Sequence, residues 1–104
     1  MPAYLIVTAV IPDREAFLRS GYPAAAAELI GRLGGRYLLR APGAELLEGD
    51  FGDGASVVIS EWRDKAAACR FWTSPQYAEV KKLRDGLGDC QVLLLEAPAM
   101  GEQG

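Results

Sequence analysis

Two arginines and two glutamates offer the most direct chemistry in this chain of 104 residues. In the stretch GGRYLLRAPGAELLEG, Arg36, Leu38 and Arg40 would share one face of a strand, with Tyr37 and Leu39 on the other. A guanidinium is a rigid fork of donors that matches a carboxylate or an enolate, so this face could clamp an anion. Glu48 and Glu61 are the acids that strands would bring near the sheet centre, where either could take a proton as a general base. The competing reading pairs the charges with each other, Arg36 with Glu48 or with Glu61, and leaves Arg40 solvated at the strand end.

Around these charges stand aromatic groups. Tyr4 and Tyr77 could offer phenolic hydrogen bonds to a ligand, and Trp62 and Trp72 could wall a pocket. Large aromatics at such spacings also serve as core or as subunit interface. Arg84, seven residues after Tyr77, could turn back to a pocket or point to solvent. Ser74 precedes Pro75 as a helix cap would, which gives it a structural role rather than that of a nucleophile. The chain has no histidine, which removes the commonest general base, metal ligand and haem ligand together. Its two cysteines, Cys69 and Cys90, are too few for a four-thiolate site and are expected to be free, buried thiols, so neither a metal nor a cofactor is expected.

The elements that must position these groups can be read in order. AYLIVTAVI, ending at Pro12, is a strand with Tyr4, Ile6, Thr8 and Val10 on one face and Leu5, Val7 and Ala9 on the other. Asp13 caps a short helix that is interrupted at Ser20-Gly21-Tyr22-Pro23. The helix then resumes with Ala26, Leu29, Ile30 and Leu33 as an apolar stripe. Gly34 and Gly35 end it, one of them in the left-handed conformation. The strand from Arg36 to Arg40 follows, then a turn at Ala41-Pro42-Gly43, a second short strand over Ala44 to Glu48, and the loop GDFGDG.

SVVISEW is the next strand, with Val58, Ser60 and Trp62 on one face and Val57, Ile59 and Glu61 on the other. Asp64 caps a helix whose stripe is Ala67, Ala68, Phe71 and Trp72, and Ser74-Pro75 restarts it. DCQVLLLE is the last strand. The order predicts an α+β fold of ferredoxin-like β-α-β-β-α-β type, an antiparallel sheet with helices on one face. One domain over residues 1–97 is expected, followed by a flexible tail at 98–104.

A net charge of −3 and a pI near 4.9, with scattered basic residues, argue against nucleic acid as a partner. No apolar run approaches the roughly 18 residues that span a bilayer, and the first residues hold no basic leader, so a cytoplasmic protein without a membrane partner is expected. Two helices cover only one face of such a sheet, yet AYLIVTAV and CQVLLL carry few polar residues on either face. The second face must be covered, and a second copy of the chain is the expected cover, giving a homodimer.

GGRYLLR followed by ELLEG, VVISEW, FWTSPQY and KKLR resembles the small proteins grouped as the domain of unknown function 1330 family, over Tyr4 to Glu96. The resemblance implies a dimeric α/β barrel in which two ferredoxin-like sheets face each other. The superfamily holds cofactor-independent oxygenases, haem-degrading enzymes, isomerases and proteins with no assigned reaction, so the fold by itself names no chemistry.

The expectation that results is a homodimer binding a small anionic or aromatic molecule between sheet and helices, in a pocket lined by Tyr4, Arg36, Glu61, Trp72 and Tyr77. Glu48, Arg40 and Arg84 rank below these. The alternatives are a cofactor-independent oxygenase or isomerase, in which Arg36 steadies an oxyanion while a carboxylate removes a proton, and a structural or regulatory dimer with a filled core.

Overall fold

The computed structural model describes residues 1–98, so all of the expected tail beyond Pro98 lies outside the described residues. The elements run β1 (Ala3–Val10), α1 (Arg14–Arg19), α2 (Tyr22–Arg32), β2 (Arg36–Ala41), β3 (Ser56–Trp62), α3 (Lys65–Trp72), α4 (Pro75–Lys82) and β4 (Asp89–Glu96). The strands form one antiparallel sheet in the order β2-β3-β1-β4. This is the α+β, ferredoxin-like fold that the order of elements predicts.

The helix starts follow local chemistry. Asp13 Oδ1 accepts from the Ala16 N–H at 3.0 Å, Asp64 Oδ1 from Ala67 at 2.8 Å, and Ser74 Oγ from Tyr77 at 3.0 Å with Pro75 next in line. Gly34, at φ 97°, takes the left-handed position that ends α2.

Cross-strand partners share a face, so Leu5, Val7 and Ala9 of β1 stand with Ser60, Val58 and Ser56 of β3 and with Leu94, Val92 and Cys90 of β4 beneath the helices. Leu29, Ile30, Ala68, Phe71 and Tyr77 pack down onto Ala3, Leu5 and Trp62. Trp62, 1% exposed, is the largest fully buried side chain. Its ring stacks on Phe71 at 5.0 Å, and its indole N–H donates to Ser60 Oγ at 3.0 Å, so burial leaves no polar atom unpaired. The backbone of Gly35 lies directly against this ring, since a Cβ there would stand 2.6 Å from it. Of the two glycines after α2, Gly34 is needed for its φ and Gly35 for its lack of a side chain.

The strand pattern departs from expectation twice. Ala44 to Glu48 is not a strand. Ala44 exchanges backbone hydrogen bonds with Ala55 and Gly54 at the neck of the loop, but the next N–H, of Leu46, is taken by Asp53 Oδ1 at 3.1 Å. The returning chain holds Gly52 and Gly54 at positive φ and cannot run as a partner strand, and Leu47 is left 88% exposed. Glu48 therefore sits on an exposed loop rather than near the sheet centre.

The second departure is a register shift in β2 between Tyr37 and Leu39, where Leu38 has no partner on β3. Tyr37 pairs with Ser60 and Arg40 with Val58, both on the helix face, while Arg36 pairs with Glu61 and Leu39 with Ile59 on the opposite face. Arg36 and Arg40, expected together, are on opposite sides of the sheet.

That opposite face carries Tyr4, Ile6, Ile59 and Leu39 with Leu93 and Leu95, which are 66% and 51% exposed. The molecule measures 43 × 36 × 17 Å, the depth of one sheet and one helical layer, and among the described residues no element covers this face. Cys69 and Cys90 are free and half-buried. Among the described residues no helix is long and apolar enough to cross a membrane.

Replacing Gly35 by alanine should force the Trp62 ring aside and cost about 1–3 kcal/mol of stability by urea denaturation, as overpacking of a core does. An unchanged urea midpoint would show that the ring moves freely and that the contact is unimportant.

Candidate functional site

A cavity of about 110 Å³ opens between the sheet and the α1–α2 segment. Its floor is Val7 and Ala9 of β1, Val58 and Ser56 of β3 and Cys90 of β4, its walls are Phe17, Tyr22 and Pro23, and Tyr37, Arg40 and Arg84 complete it. The break between α1 and α2 shapes the wall, because Gly21 and Pro23 flank Tyr22 and set its ring 5.7 Å from Phe17. The β2 bulge supplies the other side: Tyr37 and Arg40, three residues apart, lie on one face, with the Arg40 guanidinium 4.7 Å from the Tyr37 ring centre.

The polar groups are arranged as a chain. The Tyr22 and Tyr77 hydroxyls are 2.8 Å apart, and the Arg84 guanidinium lies 5.5 Å from the centre of the Tyr22 ring. Burial pushes the Tyr22 phenol well above its ordinary value, and the neighbouring Tyr77 adds to the rise. Burial raises Tyr37 as well, against the opposing pull of Arg40. Burial works against the charge of Arg84, yet the Tyr77 hydroxyl and the Tyr22 phenol outweigh it and hold the guanidinium above its ordinary value. Arg84 thus keeps its charge in a half-buried setting. Among the described residues, no carboxylate lines this cavity and neither Arg40 nor Arg84 takes part in a salt bridge.

The groups anticipated from the sequence do not converge on one point. Arg36 is paired with Glu61 across β2 and β3, with its Nε and Nη2 both on Oε1 at 2.7 and 2.6 Å. Of its two anticipated partners, Glu61 is the one it takes. Tyr4 is the cross-strand neighbour of Glu61, so these three share the helix-free face. The pair is 72% and 25% exposed at Arg36 and Glu61, and a bridge so wet contributes about 0–1 kcal/mol. Trp72 and Tyr77 lie on the other side of the sheet. Trp72 packs 5.3 Å from Tyr77 with Lys81 over its ring, and Tyr77 is buried in the core and reaches the cavity through Tyr22 and Arg84. Arg40 and Arg84 are the two anticipated residues that line the cavity.

Tyr22, Tyr37, Ser56 and Cys90 also line it and were not anticipated. The tyrosine between Gly21 and Pro23 was a signal for the first; the others depend on the bulge and on strand pairing. Such a lining is a set of donors with apolar walls. It can hold an anion and stack against a ring, but it has no carboxylate to remove a proton. No three metal-ligating side chains are gathered among the described residues.

The model of the family described as Domain of unknown function (DUF1330) matches residues 2–98. The chain belongs to this family. No curated protein matches it. Among solved structures it is similar to a protein of unknown function from Rhodopseudomonas palustris, with a TM-score of 0.73 at 22% identity over 94% of this chain and 83% of that one. It is also similar to a dimeric ferredoxin-like protein of unknown function from Jannaschia sp., with a TM-score of 0.68 at 16% identity over 93% of this chain and 100% of the other. SnoaB, a cofactor-independent oxygenase from Streptomyces nogalater, has a TM-score of 0.66 at 17% identity over 95% of both chains. At these identities the likeness shows the fold, and the chemistry of the DUF1330 chain has to come from its own cavity.

The raised phenols make the fold sensitive to alkali. An unfolded tyrosine ionises near pH 10, whereas Tyr22 and Tyr37 hold their protons beyond that, so folding stability is complete below about pH 10 and declines as pH rises further. Urea midpoints of Tyr22→Phe should fall less steeply than those of the wild type between about pH 9 and about pH 11. Equal slopes would remove Tyr22 as a source of the effect.

Proposed function

We propose that this protein is a homodimer whose subunits each bind a small aromatic anion in the cavity between sheet and helices. The observation that carries this reading is the presence of two guanidiniums without a carboxylate in an otherwise apolar, tyrosine-lined space. Arg40 and Arg84 supply charge-assisted hydrogen bonds, Tyr22 and Tyr37 supply faces for stacking, and Tyr77 positions Tyr22 through the hydroxyl contact.

The oxygenase or isomerase alternative draws on the fold shared with SnoaB. It requires a base, and of the two acids anticipated for that role Glu61 is bonded to Arg36 on the far side of the sheet and Glu48 sits on an exposed loop. Binding is therefore the better supported of the two. Tyr4, Arg36 and Glu61 belong in this reading to the contact between subunits, where the partner would dry the salt bridge and cover Leu93 and Leu95.

Benzoate should bind in a saturable manner by isothermal calorimetry, while Arg84→Gln should weaken it about tenfold with the urea midpoint little changed. Failure of benzoate to bind, or equal affinity in the variant, would overturn the site. Sedimentation at micromolar concentration should give the mass of two chains, and Leu93→Glu combined with Leu95→Glu should give the mass of one. A wild-type mass of one chain would sink the dimer.

A further inference from the structure

The cavity does not end at Arg40. A second hollow of about 290 Å³ shares Phe17, Pro23, Arg40, Ser56 and Val58 with it, so the two adjoin as rooms of one space along these residues. The outer room is bounded by Leu18, Ala41, Pro42 and Arg14, whose Nη1 stands 3.5 Å from Ser56 Oγ. Among the described residues this outer room also lacks a carboxylate, and Arg14 takes part in no salt bridge.

Size and charge together restrict the occupant. An apolar cavity of about 150 Å³ takes a single benzene, so the inner room, at about 110 Å³, has space for no more than one ring. The outer room is larger, and its walls mix the apolar Phe17, Leu18 and Pro42 with guanidiniums at the mouth. A ligand that used only the inner room would leave Arg14 and the outer walls without a function in binding.

We propose, resting on the binding reading above, that the two rooms take one elongated aromatic diacid. One carboxylate meets Arg84 and the inner ring lies between Tyr22 and Tyr37. The second carboxylate is held at the mouth by Arg14 and Arg40. Arg14 is the specificity-determining residue, since it lines only the outer room, whereas Arg40 lines both.

The test compares biphenyl-4-carboxylate with biphenyl-4,4′-dicarboxylate by calorimetry on the wild type and on Arg14→Gln. Arg14 is exposed and packs in no core, so the variant should keep its fold. The diacid should bind the wild type about tenfold more tightly than the monoacid, and Arg14→Gln should remove that advantage while leaving the monoacid's affinity unchanged. Equal binding of the two acids by the wild type would overturn the outer subsite and leave the inner one standing, as would an advantage that survives Arg14→Gln. Binding of neither acid, together with no binding of benzoate, would overturn the inner site as well.

Discussion

The packing of one indole ring sets the geometry on which the rest depends. Trp62 ends β3 beneath the helices and fills the space between the chain at Gly35 and the Phe71 ring. From there aromatic contact continues to Tyr77, 4.6 Å beyond Phe71, and through the paired hydroxyls to Tyr22 at the cavity wall. The residues that give the core its density are thus the same ones that hold a cavity side chain in place. Tyr22 is placed by a part-buried hydrogen bond as well as by its own helix, and the Arg84 guanidinium lies over its ring.

The bulge in β2 is the second constraint. A regular strand would have put Arg40 beside Arg36 on the uncovered face and left the cavity with one cation. With Leu38 unpaired, the alternation is reset after Tyr37, and Arg40 enters the helix side with that ring beneath it. A bulge costs a ladder position and strengthens local twist; here it sorts two chemically identical side chains to opposite faces.

These features explain which parts of the molecule were legible in the sequence. The four long strands, both Asp caps, the Ser74-Pro75 restart and the glycine stop of α2 depend on residue types within a few positions, and they lie where local chemistry puts them. The apolar character of Leu93 and Leu95 on the uncovered face was likewise visible as a strand that fails to alternate. RYLLRA carries no glycine or proline to mark its bulge, so strict alternation misassigned Arg40. ELLE alternates poorly and flanks a glycine-rich return, and the strand expected there had no partner to bond. The cavity needed both pieces of long-range information, strand order and register, and this is why Arg40 and Arg84 ranked below residues that lie on the other face or in the core.

The distribution of charge gives the cavity its meaning. The chain carries 14 acids against 11 bases, so a random lining would more often include a carboxylate than not. Instead Glu15, Glu28, Glu61 and Glu79 take their salt-bridge partners outside the cavity, on helix surfaces and on the uncovered face. Arg36 has its carboxylate; Arg40 and Arg84 have tyrosine rings. A guanidinium held by phenols and aromatic faces remains charged and, unlike one in a salt bridge, is not neutralised by its neighbour. In an acidic protein, cations kept near phenols and away from carboxylates are set to receive an acid from outside, and the strand that separates Arg36 from Arg40 divides a pair that satisfies itself from a pair that does not.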